Sequence, residues 1–158
     1  MGSGMLPGGA YVTMEHEHIL ILRKGGKREF CMESEKVNRR KSAIFWEERN
    51  VFFSDVWMDI KGARQGFSEK SSRLRSGAYP FELAYRLINM YSAKNDTILD
   101  PFLGTGTTMA AAMVAGRNCV GYEIDSKLKN SICYMCKNII DFGNQYIDYR
   151  LEKHAAFV

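Results

Sequence analysis

Four cysteines stand in a chain of 158 residues (Cys31, Cys119, Cys133 and Cys136). They are too sparse for a disulfide framework. Cys133 and Cys136 have C-x-x-C spacing, but there is no second ligand pair to complete a zinc site. On a helix, positions three apart simply share a face. A reducing, cytoplasmic compartment fits this cysteine usage. Histidines number three. His16 and His18 flank Glu17 without HExxH spacing, and read as a strand entry with one exposed face. No apolar run approaches the ~20 residues that span a bilayer, so no membrane contact is expected. The first ten residues, MGSGMLPGGA, lack a basic region followed by an apolar stretch. They read as a tag or a disordered start rather than a signal peptide. There are three prolines, Pro7, Pro80 and Pro101, and no two are adjacent.

What is present suits a globular domain. Apolar residues make up 46% and charged residues 25%, an ordinary balance with enough apolar surface for one core. The net charge is +4, weak on its own as a sign of an anionic partner. Its distribution is more telling. Lys and Arg crowd into 23–75 (RKGGKR, NRRK, RLR), while the chain beyond 96 is close to neutral.

The segment 11–23, YVTMEHEHILILR, predicts a strand buried at ILIL. Gly25-Gly26 ends it. Residues 27–76 read as irregular and basic, with Phe45, Trp46, Phe52, Phe53 and Trp57 interleaved. That mixture suits nucleic acid, because cations meet phosphates and rings stack on bases. It equally suits a solvated surface over a small aromatic core. In 79–92, Pro80 fits a first helical turn. Leu83, Leu87 and Met90 recur at helical spacing. Lys94-Asn95-Asp96 reads as a turn, TILD as a strand, FLGTGTT as a loop and MAAAMVA as a helix. Gly116 falls where a helix C-cap belongs. NCVGY reads as a second strand ending on Glu123, 126–140 as a helix, and YRLEKHAAFV as another.

Strand, glycine loop, helix, then a strand ending in an acid is half of a nucleotide-binding α/β layer. Three ligands use such a loop. A P-loop needs a lysine, and none lies between Lys94 and Lys127. A dinucleotide fold wants GxGxxG/A, whereas Met109 fills the third slot. That weakens the reading and leaves it open. S-adenosylmethionine carries a sulfonium, an ammonium and a ribose but no phosphate. Asp100 supplies negative charge for the cations, and Phe102 a ring face. Gly104 and Gly106 permit close backbone approach. Glu123 can accept from ribose hydroxyls.

DPFLGTGTT at 100–108 resembles the cofactor motif of the DNA amino-methyltransferases, which methylate adenine at N6 or cytosine at N4. GYEID resembles their second motif, and RSGAYPFELAYRLINMYS the one closing over the methionine end. TMEHEHILILRKG resembles the strand before their recognition region, and FWEERNVFFSDVW with KGARQ that region in a prokaryotic subset. This order matches the permuted (beta) class. The resemblance implies a Rossmann-like α/β methyltransferase fold with an incomplete sheet. It divides the chain into a start (1–10), a strand plus basic target-recognition region (11–76), and a cofactor-binding α/β half (77–158).

By the same resemblance, Asp100, Pro101, Phe102, Gly104, Thr105, Gly106, Thr107 and Thr108 line S-adenosylmethionine. Glu123 holds its ribose, Ile124 packs on its adenine, and Tyr79, Pro80 and Phe81 sit near its methionine moiety. Arg39, Arg40, Lys41, Arg64, Gln65, Arg73 and Arg75 are candidates for contact with double-stranded DNA, mostly positioning the duplex. The family's catalytic motif is Ser, Asp or Asn followed by Pro-Pro and an aromatic. It accepts the amine's hydrogen bonds and stacks on the flipped base. With no adjacent prolines, the motif is absent here. The chain therefore resembles the C-terminal half of a site-specific methyltransferase of restriction-modification type, with no catalytic residue assigned. It is expected to be inactive alone. It is also expected to pair, through a bare strand edge, with another copy or with a separate N-terminal subunit. The alternative is a non-catalytic DNA-binding accessory protein that keeps the fold.

Overall fold

The computed structural model describes residues 16–60 and 79–158. The sheet formed by these residues has two strands, β1 (Thr97–Asp100) and β2 (Asn118–Gly121). They run parallel, with Ile98 beside Cys119 and Asp100 beside Gly121. Parallel neighbours need a crossover, which helix α4 (Thr107–Val114) provides. Gly116 follows its C-cap, Ala115, as expected.

Three helices form one layer. Helix α3 (Phe81–Tyr91) packs on α4, and α4 packs on α5 (Lys129–Phe157). The alanines of α4 make this possible. Ala110, Ala111 and Ala112 are buried completely or nearly so, and Ala111 and Ala112 sit against Ala84, Tyr85 and Ile88 of α3. Ile98 and Cys119 face this layer. On the other side of the sheet Leu99 and Val120 are exposed, 63% and 45%. Phe81, Tyr85, Phe142 and Tyr146 stack into an aromatic wedge between α3 and α5.

Three expectations are corrected here. ILIL at 19–22 is neither a strand nor buried: Leu20 and Leu22 are 83% and 90% exposed. A buried strand needs a neighbour to exchange backbone bonds with, and none of the described residues provides one. The rest of that segment, 11–15, lies outside the described residues. Second, 27–60 is not irregular throughout. It carries α1 (Glu33–Lys41) and α2 (Trp46–Phe52). In each, a glutamate at the third position accepts the N-cap amide: Glu35 from Met32 at 3.0 Å, Glu48 from Phe45 at 3.3 Å. Third, the two helices expected over 126–140 and the tail are one. After a short 3₁₀ turn at Ser126–Leu128, α5 runs unbroken for 29 residues, about 43 Å at 1.5 Å per residue. Gly143 does not break it. A Cβ there would stand 3.1 Å from Val114 Cγ2, so the glycine lets α4 and α5 approach.

Candidate functional site

β1 and β2 end side by side, on Asp100 and on Gly121 with Glu123 just beyond. The loop between β1 and α4 is tied to both acids. Asp100 Oδ1 accepts the Phe102 amide at 2.9 Å, and its Oδ2 accepts Thr108 Oγ1 at 2.5 Å and the Tyr79 phenol at 3.4 Å. Tyr79 and Thr108 also bond each other. Glu123 takes the Gly104 amide on Oε2 and the Asp125 amide on Oε1, both at 2.8 Å. Leu103 N–H to Tyr122 O at 2.8 Å ties the loop to β2's extension. Each carboxylate keeps a further lone pair, so both acids can accept from a ligand.

Gly106 makes the turn possible. Its φ is +93°, in the left-handed region, and a Cβ would lie 2.8 Å from Met135 Cε. The helix then starts at Thr107. Phe102 is 86% exposed and Ile124 fully exposed, one beyond each strand end. Both present apolar side chains to solvent there. Pro101 is exposed; Thr105 and Thr107 are half-buried on the loop. Burial raises the Tyr79 phenol above its ordinary pKa, so it stays a donor near Asp100.

The structure thus brings together Tyr79, Asp100, Thr108, Gly104 and Glu123. Pro80 is the N-cap of α3, beside Tyr79. Phe81 is half-buried and turns into the aromatic wedge with Tyr85, Phe142 and Tyr146.

The site's charge is acidic. Arg117 stands between Lys94 and Lys127 in sequence but is buried at the far end of β2. There it donates to Ser92 O at 2.8 Å and Ser92 Oγ at 3.1 Å, and to Ala115 O. Burial lowers its pKa. A phosphate would find no cation at the strand ends from this arginine.

The basic segment divides. Arg39, Arg40 and Lys41 form the last turn of α1 and are exposed. Cations there complement the helix dipole. The Arg39 guanidinium lies 4.9 Å from the Phe30 ring, and Arg40 pairs with Glu33 at 2.8 Å. Arg64, Gln65, Arg73 and Arg75 lie outside the described residues. Several aromatics serve the fold. Phe52 is buried and, with Trp57, stacks on the Arg86 guanidinium, while Phe45 lies on that of Arg150. Trp46 and Phe53 are exposed.

The sequence reading missed two cations. Arg86, on α3, pairs with Asp59 and with Glu82 at 2.8 Å. Arg150, on α5, forks onto Glu48 at 2.5 and 2.6 Å and donates to Tyr85 OH at 2.7 Å. His154 Nδ1 lies 2.9 Å from Glu47, its ring stacked on Phe45. These bonds seat the segment 45–60 on α3 and α5. Asp59 and Glu48 lie 27 and 102 residues from their arginines, so no local pattern signals those pairs, whereas Glu82–Arg86 is an i,i+4 pair on α3. Among the described residues no cluster of His, Cys, Asp or Glu could hold a metal, and no helix is long and apolar enough to cross a membrane. Cys136 lies 3.6 Å from Met109 Sδ, with burial raising its thiol pKa.

Comparison with known proteins points one way. A family profile described as DNA methylase matches residues 3–133. The type II methyltransferase M.MthZI of Methanothermobacter thermautotrophicus is 56% identical over all 158 residues, which span 44% of its length. M.MjaI of Methanocaldococcus jannaschii is 47% identical over 129 residues, 82% of this chain and 41% of that protein. A Thermus thermophilus structure described as a DNA modification methylase complexed with S-adenosyl-L-methionine superposes with a TM-score of 0.67 at 32% identity. The match covers 84% of this chain and 48% of that one. The chain spans less than half the length of these relatives.

Proposed function

The chain belongs to the DNA methylase family, and from that premise we propose that it is the S-adenosylmethionine-binding and DNA-recognition portion of a site-specific methyltransferase acting on an exocyclic amino group of adenine or cytosine. Its fold, a Rossmann-like methyltransferase half with a two-stranded sheet, agrees with this. The observation that carries the proposal is the pair of acids at adjacent strand ends, Asp100 and Glu123, each hydrogen-bonded to the glycine loop between them. The donor set fits a ligand that is cationic at one end and hydroxylated at the other. Asp100, with Tyr79 and Thr108, would hold the charged methionine end. Glu123 would accept from the ribose, and Phe102 and Ile124 would flank the rings. The ligand, when bound, supplies a methyl group on a sulfonium. The chain's residues bind and orient it.

Double-stranded DNA is the proposed macromolecular partner, with Arg39, Arg40 and Lys41 as phosphate contacts. The 158 residues hold no Pro-Pro pair, so methyl transfer by this chain alone is not expected.

Calorimetric titration of S-adenosylmethionine, with NAD as control, tests the reading. Binding of the first alone, weakened about tenfold or more (~1.4 kcal/mol) by Asp100→Asn and by Glu123→Gln, is the expected result. Unchanged affinity in both variants, with folding verified by circular dichroism, would refute it.

A further inference from the structure

The C-x-x-C of α5 takes no part in the acidic site at the strand ends. Cys133 and Cys136 lie three residues apart on that helix and so share a face, with Cβ atoms about 5–6 Å apart. Cys133 is exposed, and its side chain has room to turn; Cys136 is half-buried. The Cys136 Sγ lies 3.6 Å from the Sδ of Met109, in the first turn of α4. Two sulfurs therefore meet where α4 packs on α5, and a third stands three residues back along α5. The floor under the pair is apolar: Met109 and Cys136 both pack against Ala110, Met135 and Ile139. Lys129 and Lys137, four residues to either side of Cys133, are exposed on the same helix face.

Spacing, donor type and charge define what fits. Two sulfurs that each lie about 2.3 Å from one ion, at a tetrahedral angle, stand about 3.8 Å apart. The Cys136–Met109 pair is already close to that separation. No third His, Cys, Asp or Glu joins the two thiols among the described residues, so a zinc ion would lack the full ligand set of a closed site. The third donor is a thioether. Thiolate and thioether are soft donors and select a soft ion such as Cu(I). Two thiolates around a monovalent cation leave one negative charge, which Lys129 and Lys137 are placed to offset.

We propose that Cys133, Cys136 and Met109 form a binding site for a soft monovalent cation of the Cu(I) class, bridging α4 and α5. The two thiols give up their protons to solvent as the ion binds, and the ion keeps its oxidation state. Cys133 turns toward its neighbour to complete the set. The site lies behind the glycine loop. Met109 is the third residue of α4, which starts directly after Gly106. Met135, between the two cysteines in sequence, carries the methyl 2.8 Å from where a Cβ at Gly106 would stand. A bound ion thus ties the first turn of α4 to α5 beneath that loop. The assignment is independent of the methylase reading.

The test uses the whole 158-residue chain, reduced and free of oxygen, without S-adenosylmethionine. Cu(I) is titrated in competition with the chromophoric chelator bathocuproine disulfonate, and light scattering reads the mass. The expected result is one ion held per chain, with no change of oligomeric state on binding. Cys133→Ser and Cys136→Ser should each weaken retention about a hundredfold or more, and Met109→Leu about tenfold or more. Met109→Leu conserves volume, and circular dichroism checks folding in every variant. Cys31→Ser, ahead of α1, should change nothing. One equivalent of Cu(I) should raise the melting temperature of the wild type and not that of Cys136→Ser. Three results overturn the proposal: no ion held against the chelator, an affinity unmoved by Cys136→Ser or by Met109→Leu, or an ion that joins two chains.

Discussion

Arg150→Met removes one cation and leaves three partners behind. Glu48 loses two short charge-assisted bonds, at 2.5 and 2.6 Å, and Tyr85 OH loses its 2.7 Å donor. The Phe45 and Tyr85 rings lose the guanidinium 5.3 and 5.4 Å from their centres. Orphaning one member of a buried ion pair costs about 3–5 kcal/mol. The arginine and glutamate side chains are 19% and 15% exposed, so some water reaches the carboxylate, and the Phe45 amide still donates to it at 3.3 Å. The discounted loss is ~2–4 kcal/mol, a large part of the ~5–15 kcal/mol of a typical domain. With a urea slope near ~2 kcal/mol per molar, the midpoint should fall by ~1–2 M. Glu48→Gln added to Arg150→Met removes the unpaired charge, so the double variant should be at least ~1.5 kcal/mol more stable than the sum of the singles implies. A midpoint shift below ~0.3 M for Arg150→Met, or additive singles, would mean that α2 is not held to α5 by this pair.

Asp59 gives the pH dependence. Its bond to Arg86 holds its carboxyl below the ordinary 3.8. A carboxylate with a depressed folded pKa stabilises above its unfolded pKa, and that contribution is lost as pH falls through the folded value. Acid unfolding of the wild type should therefore steepen below about pH 4, and Asp59→Asn should flatten that limb while slightly lowering stability at pH 7. An unaltered acid limb would refute the pairing. Gly106→Ala should cost ~1–2 kcal/mol from left-handed strain, because φ there is +93°. The flexible Met135 side chain can move away from the new methyl, so Met135→Ala should not rescue the melting temperature. A full rescue would mean crowding rather than backbone strain sets the cost.

The stretch 97–123 was legible because its signals are local. Two glycines mark the turn, an alanine run marks a helix that must pack closely, and each strand runs into an acid. Helices α1 and α2 carry no such signal. ESEKVNRRK offers one apolar residue, Val37, so apolar periodicity is missing. What seats α1 is distant: Asn38 donates to Lys94 O and Ser42 Oγ accepts from Lys94 N–H, each at 2.8 Å. ILIL failed for the converse reason. Four aliphatics predict burial, but burial requires something to lie against, and among the described residues 19–22 is exposed and outside any strand.

The aromatic segment shows why composition alone could not separate a nucleic-acid surface from a core. Arg over a ring is the same contact in either setting. What separates them is the counter-charge. Arg86 and Arg150 are nearly or largely buried, and each has a carboxylate at hydrogen-bond distance, so neither is offered to a phosphate. Arg39 lies over Phe30, is exposed, and has no ion pair at close range among the described residues. It stands at the end of α1 with Arg40 and Lys41, where the helix dipole already favours cations. A duplex approaching that turn would have to displace only water from Arg39 and Lys41, and a solvent-facing ion pair from Arg40. Such pairs contribute about 0–1 kcal/mol, so a phosphate would meet little resistance at α1's last turn.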